Sequence, residues 1–427
     1  MLKQPRFPTV TPPTFEAQTI TEKLRSGYWV EVADVDTDGR PDLVCFGMSM
    51  DEIYWYENSD NGMHWTCHPM VKGINMPVGM DSMDLTGNGS PDFVVCYDLY
   101  GASGTFKEPA SEGGRIDWLE NPGLSGTPET LWKRHYVGQS PATHRVRVGH
   151  FTRRDKIQIL GFPIVSQSGM HSLLDITLYT QPDDITSDEP WSSEVVCNNK
   201  FRFIHGVEKY SGFCPESGLD ANLICSDEGI SIFYFNESRK SWIIEKIGHG
   251  EQDQFEKTGF RGSGDAAIGA EDGNVAYVAA IEPFHGNCVA VYVLDKETGT
   301  WKRHFLDIYS EPNELGESPG HSVVCADFDG DGVDEFLIGL RGPDPWQGVV
   351  YYKPLDLQAG LFAKWKISNE SVARIAVGQF SNSGRPDFVT IGYSIKNYFE
   401  AANPKVIVYH NQISGPSMQQ SGSAMAE

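Results

Sequence analysis

The chain has 427 residues with 44 Gly, 25 Pro and ten Trp. That length suits one large repeat domain or two to three ordinary ones, and the composition favours short strands and many turns over helices. Acidic residues outnumber basic ones 58 to 34, a net charge of −24, which repels phosphate backbones and argues against nucleic acid and anionic membrane as partners while suiting metal ions and neutral small molecules.

Taken in order, residues 1–14 read as an arm without a hydrophobic signal core, and Phe15–Lys23 as a lone outer strand. Seven similar units follow. Blade one runs through YWVEVAD, the turn Asp34, Asp36, Asp38, Gly39, Asp42, then DLVCFG and IYWYEN. Blade two has MDSMD, a weakened turn (Asp84, Thr86, Asn88, Gly89, Asp92), DFVVCYD and RIDWLENPG. Blades three to five show HRVRVGHF, IQILGF and DITLYTQP; HGVEKYS, ANLICS and SIFYFN; GDAAIGA, VAYVAAI and CVAVYVLD. Blade six holds HSVVCAD, the turn Asp327, Asp329, Asp331, Gly332, Glu335, then EFLIGL and GVVYY; blade seven holds ARIAVGQF, DFVTIGY and KVIVYHN.

Turn starts at 34, 84, 150, 211, about 270, 327 and 379 are spaced as four-stranded propeller blades. Outer strands such as HWTCHPM and TWKRHFL are visible for six of the seven, so Phe15–Lys23 supplies the missing one and closes the ring. The expected fold is all-β, a seven-bladed propeller over residues 15–412, with a Ser/Gly/Gln-rich tail at 413–427 read as disordered. Cys45, Cys96, Cys225, Cys288 and Cys325 lie in apolar strand patterns without a CxxC pair, as in a reducing compartment, so a cytoplasmic home is expected. No apolar run approaches the ~18 residues of a membrane span.

The two complete turns, Asp34/Asp36/Asp38/Asp42 and Asp327/Asp329/Asp331/Glu335, have the spacing that wraps a hard cation, so structural Ca²⁺ or Mg²⁺ is expected there; Asp-rich turns also form for their backbone hydrogen bonds alone. Six residues before the turn starts, at the channel mouth, stand Tyr28, Val78, His144, His205, Gly264, His321 and Ala373. Equivalent first-strand positions face the ring axis, so His144, His205 and His321 converge as a zinc site with an open position. His285, in EPFHGN, lies on the same face and is the expected base or acid, with Asp98 and Tyr393 as helpers. Tyr28, Asp81, Tyr97, Tyr100, Arg115, Arg341, Trp346 and Tyr398 are expected to wall a pocket for a sugar or another polyhydroxylated or polycyclic molecule. Gly316–Gly320 matches GxSxG but lacks a strand-to-helix elbow, which argues against a serine hydrolase.

WVEVAD, RIDWLENPG, HRVRVGHFTR, EPFHGN, VCADFDGDGVDEFL and GYSIKNYFEAANP together resemble the propeller domain of the aldos-2-ulose dehydratase family, from about Gly27 to Asn411. The resemblance implies a fungal lyase acting on 1,5-anhydrofructose and glucosone, with a zinc at the bottom of the propeller cleft and structural divalent ions in loops. It also implies that the cupin and lectin-like domains and the isomerase step are absent here. Asp81 stands where the family is expected to have His. The expected function is therefore a zinc-dependent keto-sugar dehydratase; a metal-free natural-product cyclase and a non-catalytic binding propeller are the alternatives. Pairing as a homodimer stays open.

Overall fold

The computed structural model describes residues 10–123, 130–187, 189–214, 217–253, 258–396 and 398–413. Most of residues 1–14 and nearly all of the tail at 413–427 lie outside them. The described residues form seven four-stranded antiparallel sheets and no α-helix. Blade one spans Gly27 to Lys72, blade two Gly79 to Gln139, blade three Thr143 to Cys197 and blade four Val207 to Gly248. Blade five spans Asp265 to Ile308, blade six Gly320 to Ser368, and blade seven joins Arg374–Asn411 to the N-terminal strand Phe15–Thr21. The seven-bladed all-β ring is thus present as expected. Its first strands adjoin one another in succession, and that of blade seven returns to that of blade one.

The burial follows from stacking. A middle strand is covered on both faces by the neighbouring blades, so Asp42–Gly47, Asp92–Tyr97, Gln158–Pro163 and Leu219–Ser226 are buried throughout and read as nearly unbroken apolar runs. Outer strands meet solvent and alternate, as in Thr300–Ile308. Closure is antiparallel, Phe15 opposite Asn411 and Ala17 opposite Tyr409. The Phe15 ring packs edge-on to Phe388 and Phe328 at 5.0 and 6.0 Å, tying the strand to blades seven and six.

The turn carboxylates also build the fold. Asp42 accepts the amides of Val35 and Asn58, Asp92 those of Leu85 and Asn121, and Asp387 those of Ser381 and Asn411. Each asparagine then reaches the preceding blade: Asn58 Nδ2 donates to Phe380 O, Asn121 to Val35 O and Asn411 to Phe328 O. A buried backbone group left unpaired costs about 1–3 kcal/mol, so these clasps hold adjacent blades in register. Among the described residues no helix is long and apolar enough to cross a membrane.

Candidate metal centre and pocket

Four histidines meet at one end of the channel. His144 and His321 open the first strands of blades three and six, and His205 precedes that of blade four. His285 sits in the turn between the second and third strands of blade five with φ of 46°, a left-handed conformation uncommon for a residue with a Cβ and one that turns its ring toward the axis. All four are buried. Ring centroids are 5.1 Å apart for His144–His205, 5.0 Å for His205–His285, 5.2 Å for His205–His321 and 5.1 Å for His285–His321.

Burial holds all four imidazoles well below their ordinary range; Arg145 deepens the shift at His144 and His205, and Arg341 at His285 and His321. They are therefore neutral at neutral pH, the form that binds metal. Three are fixed through Nδ1: His205 to Gly264 O at 2.8 Å, His321 to Ala373 O at 2.5 Å and His285 to Glu317 Oε2 at 2.6 Å. The Nε2 atoms of His205 and His321 are buried with no hydrogen-bond partner. Ligand atoms of His205, His285 and His321 all lie within 4.8 Å of one another. A buried cluster of neutral imidazole lone pairs, each ring locked from behind, fits a zinc ion.

This grouping differs from the expected His144, His205 and His321. The Nε2 of His144 meets Tyr28 Oη at 2.8 Å and Arg145 Nη1 at 3.0 Å, while its Nδ1 is buried with no hydrogen-bond partner, and the ligand atoms that lie together are those of His205, His285 and His321. His285, expected as base or acid, is by this grouping also a candidate ligand.

The expected pocket residues divide. Tyr28 lies between His144 and His321, with ring centroids 6.3 and 6.0 Å away. Tyr393 stands 5.0 Å from His321 and Tyr398 6.4 Å from His285. Arg341 is buried behind them, donating to Glu317, Ser318 O and Tyr393 Oη. Tyr100 belongs to the aromatic wall through Phe106, which packs on Phe203.

The others are engaged elsewhere. Asp81 pairs with Lys209 at 3.0 Å and accepts the Val148 amide, four residues along the strand from His144, so it is a channel residue below the cluster. Tyr97 and Arg115 bond to each other and through Tyr97 to Asp117, a network internal to blade two. Asp98 is held by Asn75 in the turn after the second strand of that blade. Trp346 packs on Tyr309, beyond the outer strand of blade five.

Two residues were not foreseen. Glu317 is the second residue of the GESPG stretch, and its carboxylate binds both His285 and Arg341. Arg145 is buried beside His144, and its signal was a charge inside the apolar run HRVRV. A small cavity beside the cluster is lined by Tyr28, Arg145, His205, Glu208, Asp265 and His321.

On the opposite face, Asp34, Asp36 and Asp42 form one acidic group and Asp327, Asp329 and Glu335 another. Asp38 is turned to Arg40, and Asp331 to Lys353. The Lys353 ammonium also bonds Asp329 and, at 3.0 Å, Glu335, so an internal cation faces the carboxylates of the blade-six turn.

Fold and site together define a β-propeller with a buried histidine cluster at one mouth of its axis. Residues 113–295 match the family described as the aldos-2-ulose dehydratase β-propeller domain, and residues 34–95 match an FG-GAP-like repeat. The chain is 32% identical over 421 residues to aldos-2-ulose dehydratase of Phanerodontia chrysosporium, a match that covers 93% of this chain and 46% of that protein. The chain thus spans about half the length of that relative. The solved structure of BBS1N in complex with ARL6DN, soaked with mercury, is similar at a TM-score of 0.52 and 10% identity, over 96% of this chain and 99% of that one, a likeness of fold alone.

Proposed function

We propose that the chain is a zinc-dependent hydro-lyase that eliminates water from a keto-sugar such as 1,5-anhydro-D-fructose. The observation that carries the reading is the convergence of His205, His285 and His321, neutral, buried and each anchored through Nδ1. The 32% identity to aldos-2-ulose dehydratase supports the substrate class. Zinc, when bound by these three, supplies Lewis-acid polarisation of a substrate carbonyl, which acidifies the neighbouring C–H.

The chain's own residues do the rest. Gly264 O, Ala373 O and Glu317 hold the three rings as Nδ1–H tautomers, so that Nε2 presents the lone pair. Tyr28 carries the hydroxyl through which a proton moves between substrate and protein, its Oη 2.8 Å from His144 Nε2 and its ring held under Arg145. Tyr393 and Tyr398 flank the cluster with apolar ring faces and hydroxyls that suit a sugar. Arg341, wholly buried, keeps Glu317 in place and positions Tyr393.

Metal analysis of the purified chain, paired with a dehydration assay on 1,5-anhydro-D-fructose, tests this. One zinc per chain, lost together with turnover in His321→Ala, is the expected result. Full turnover after complete removal of zinc would overturn it.

A further inference from the structure

His171 joins three parts of the ring that lie far apart in the chain. It stands between the second and third strands of blade three, Gln158–Pro163 and Ile176–Thr180, on the face that carries His285. Its Nδ1 lies 2.7 Å from Oδ2 of Asp227, in the turn between the second and third strands of blade four. Its Nε2 lies 3.1 Å from Thr258 O, in the connection from blade four to blade five.

A carbonyl oxygen only accepts, so Nε2 carries a proton. Two lone pairs would repel at 2.7 Å, so a second proton lies between Nδ1 and Asp227 Oδ2. The hydrogen bond to Asp227 holds the imidazole above its ordinary 6.5 against partial burial; Thr258 O adds to the rise and Arg261 opposes it. The Asp227 side chain is wholly buried, and its Oδ1 has no hydrogen-bond partner. Among the described residues its ion pairs are with His171 and, at 3.9 Å, with Arg261. Arg202, next to Phe203, is paired with Glu228 at 2.7 Å, and residues 165–174 hold no Asp, Glu, Lys or Arg.

This contact backs the aromatic wall of the pocket. The His171 ring stacks on Phe203 at 5.8 Å and meets Phe260 at 6.2 Å. Those two rings touch Phe284 at 4.4 and 4.6 Å, and Phe284 stacks on His285 at 3.7 Å. Gln167, in the same loop as His171, donates to Pro109 O of blade two at 3.2 Å.

We propose that His171, Asp227 and Thr258 form a proton-operated latch. With both ring nitrogens protonated, it clamps the blade-three loop and the connection between blades four and five against the aromatic wall; loss of one proton releases them. Without that proton a ring nitrogen turns its lone pair toward an oxygen, and the buried Asp227 loses a donor that water does not replace. Because the folded value lies above the unfolded one, the stabilisation is fully present below 6.5 and lost as pH rises through the raised value. As control of the pocket the latch rests on the proposed function, but its test needs no turnover, so either can fail alone.

Nitrogen NMR of the full chain labelled at histidine tests it, with His171 assigned by the signal missing from His171→Gln. Both ring nitrogens should be protonated at 6.5 and titrate above it, and Asp227→Asn should shift that titration down. Hydrogen exchange of residues 165–174 and 258–262, corrected for its intrinsic pH dependence, should lose protection across the same titration. In His171→Gln, a half-exposed position, exchange should be fast at every pH. A His171 ring that titrates at or below 6.5, a titration unmoved in folded Asp227→Asn, wild-type exchange that ignores the titration, or a pH dependence that survives in His171→Gln would each overturn the proposal.

Discussion

His285 Nδ1 lies 2.6 Å from Glu317 Oε2, and the same oxygen accepts Arg341 Nη2 at 2.5 Å. One carboxylate oxygen is therefore held between an imidazole N–H and a buried guanidinium. A carboxylate oxygen that accepts from both places the proton of His285 on Nδ1 and leaves Nε2 for the centre of the cluster.

Replacing Glu317 by Gln keeps the volume but lets an amide N–H face His285. Zinc affinity, measured by competition with a chelator, should fall about 10–100-fold while the circular dichroism spectrum is unchanged. Unaltered affinity would mean that Glu317 only packs.

Tyr28→Phe removes the hydroxyl 2.8 Å from His144 Nε2 and leaves the ring. It should retain the zinc of the parent chain and lower kcat about 10²–10⁴-fold. A variant that loses zinc and activity together would assign Tyr28 to metal binding instead.

Burial pushes the Glu31 carboxyl from 4.5 up to about 7, only partly offset by Arg374 and Arg147. Because the folded value lies above the unfolded one, the stabilisation tied to this group is present below 4.5 and lost as pH rises through about 7. Glu31→Gln cannot ionise. Its Tm relative to the wild type should therefore climb between mildly acidic and mildly alkaline buffer, and a difference that stays flat across that range would place the titration elsewhere.

Asn121→Ala removes the bonds from Nδ2 to Val35 O of blade one and to Pro91 O. Leaving a buried carbonyl unpaired costs about 1–3 kcal/mol, so thermal unfolding should come several degrees earlier. Zinc content should be unaffected, since the clasp lies at the acidic-turn end of the blade and the histidines at the other.

Much of the molecule was legible in the residue order because a propeller repeats one hydrogen-bonded unit. The Asp-rich turns and apolar triplets of strands mark each blade, and the odd strand Phe15–Thr21 had only one place to pair. The alignment of first strands also brought His144, His205 and His321 to one level, as equivalent positions around a ring must be. Asp81, Tyr97 and Arg115, expected to wall the pocket, have partners that the residue order did not show. A polar side chain near a pocket in sequence takes whichever partner lies closest in space, and for these that was Lys209, Asp117 and one another.

Periodic patterning by itself determined the number of blades, the closure of the ring and the levels at which histidines and acidic turns stand, since these depend only on spacing along the chain. Tertiary contact decided which imidazole nitrogens remain open, because that turns on neighbours from other blades: Tyr28 against His144, Gly264 O behind His205, Ala373 O behind His321 and Glu317 behind His285. It likewise set Lys353, a residue of another strand, against the carboxylates of the blade-six turn, which no inspection of the turn itself contains.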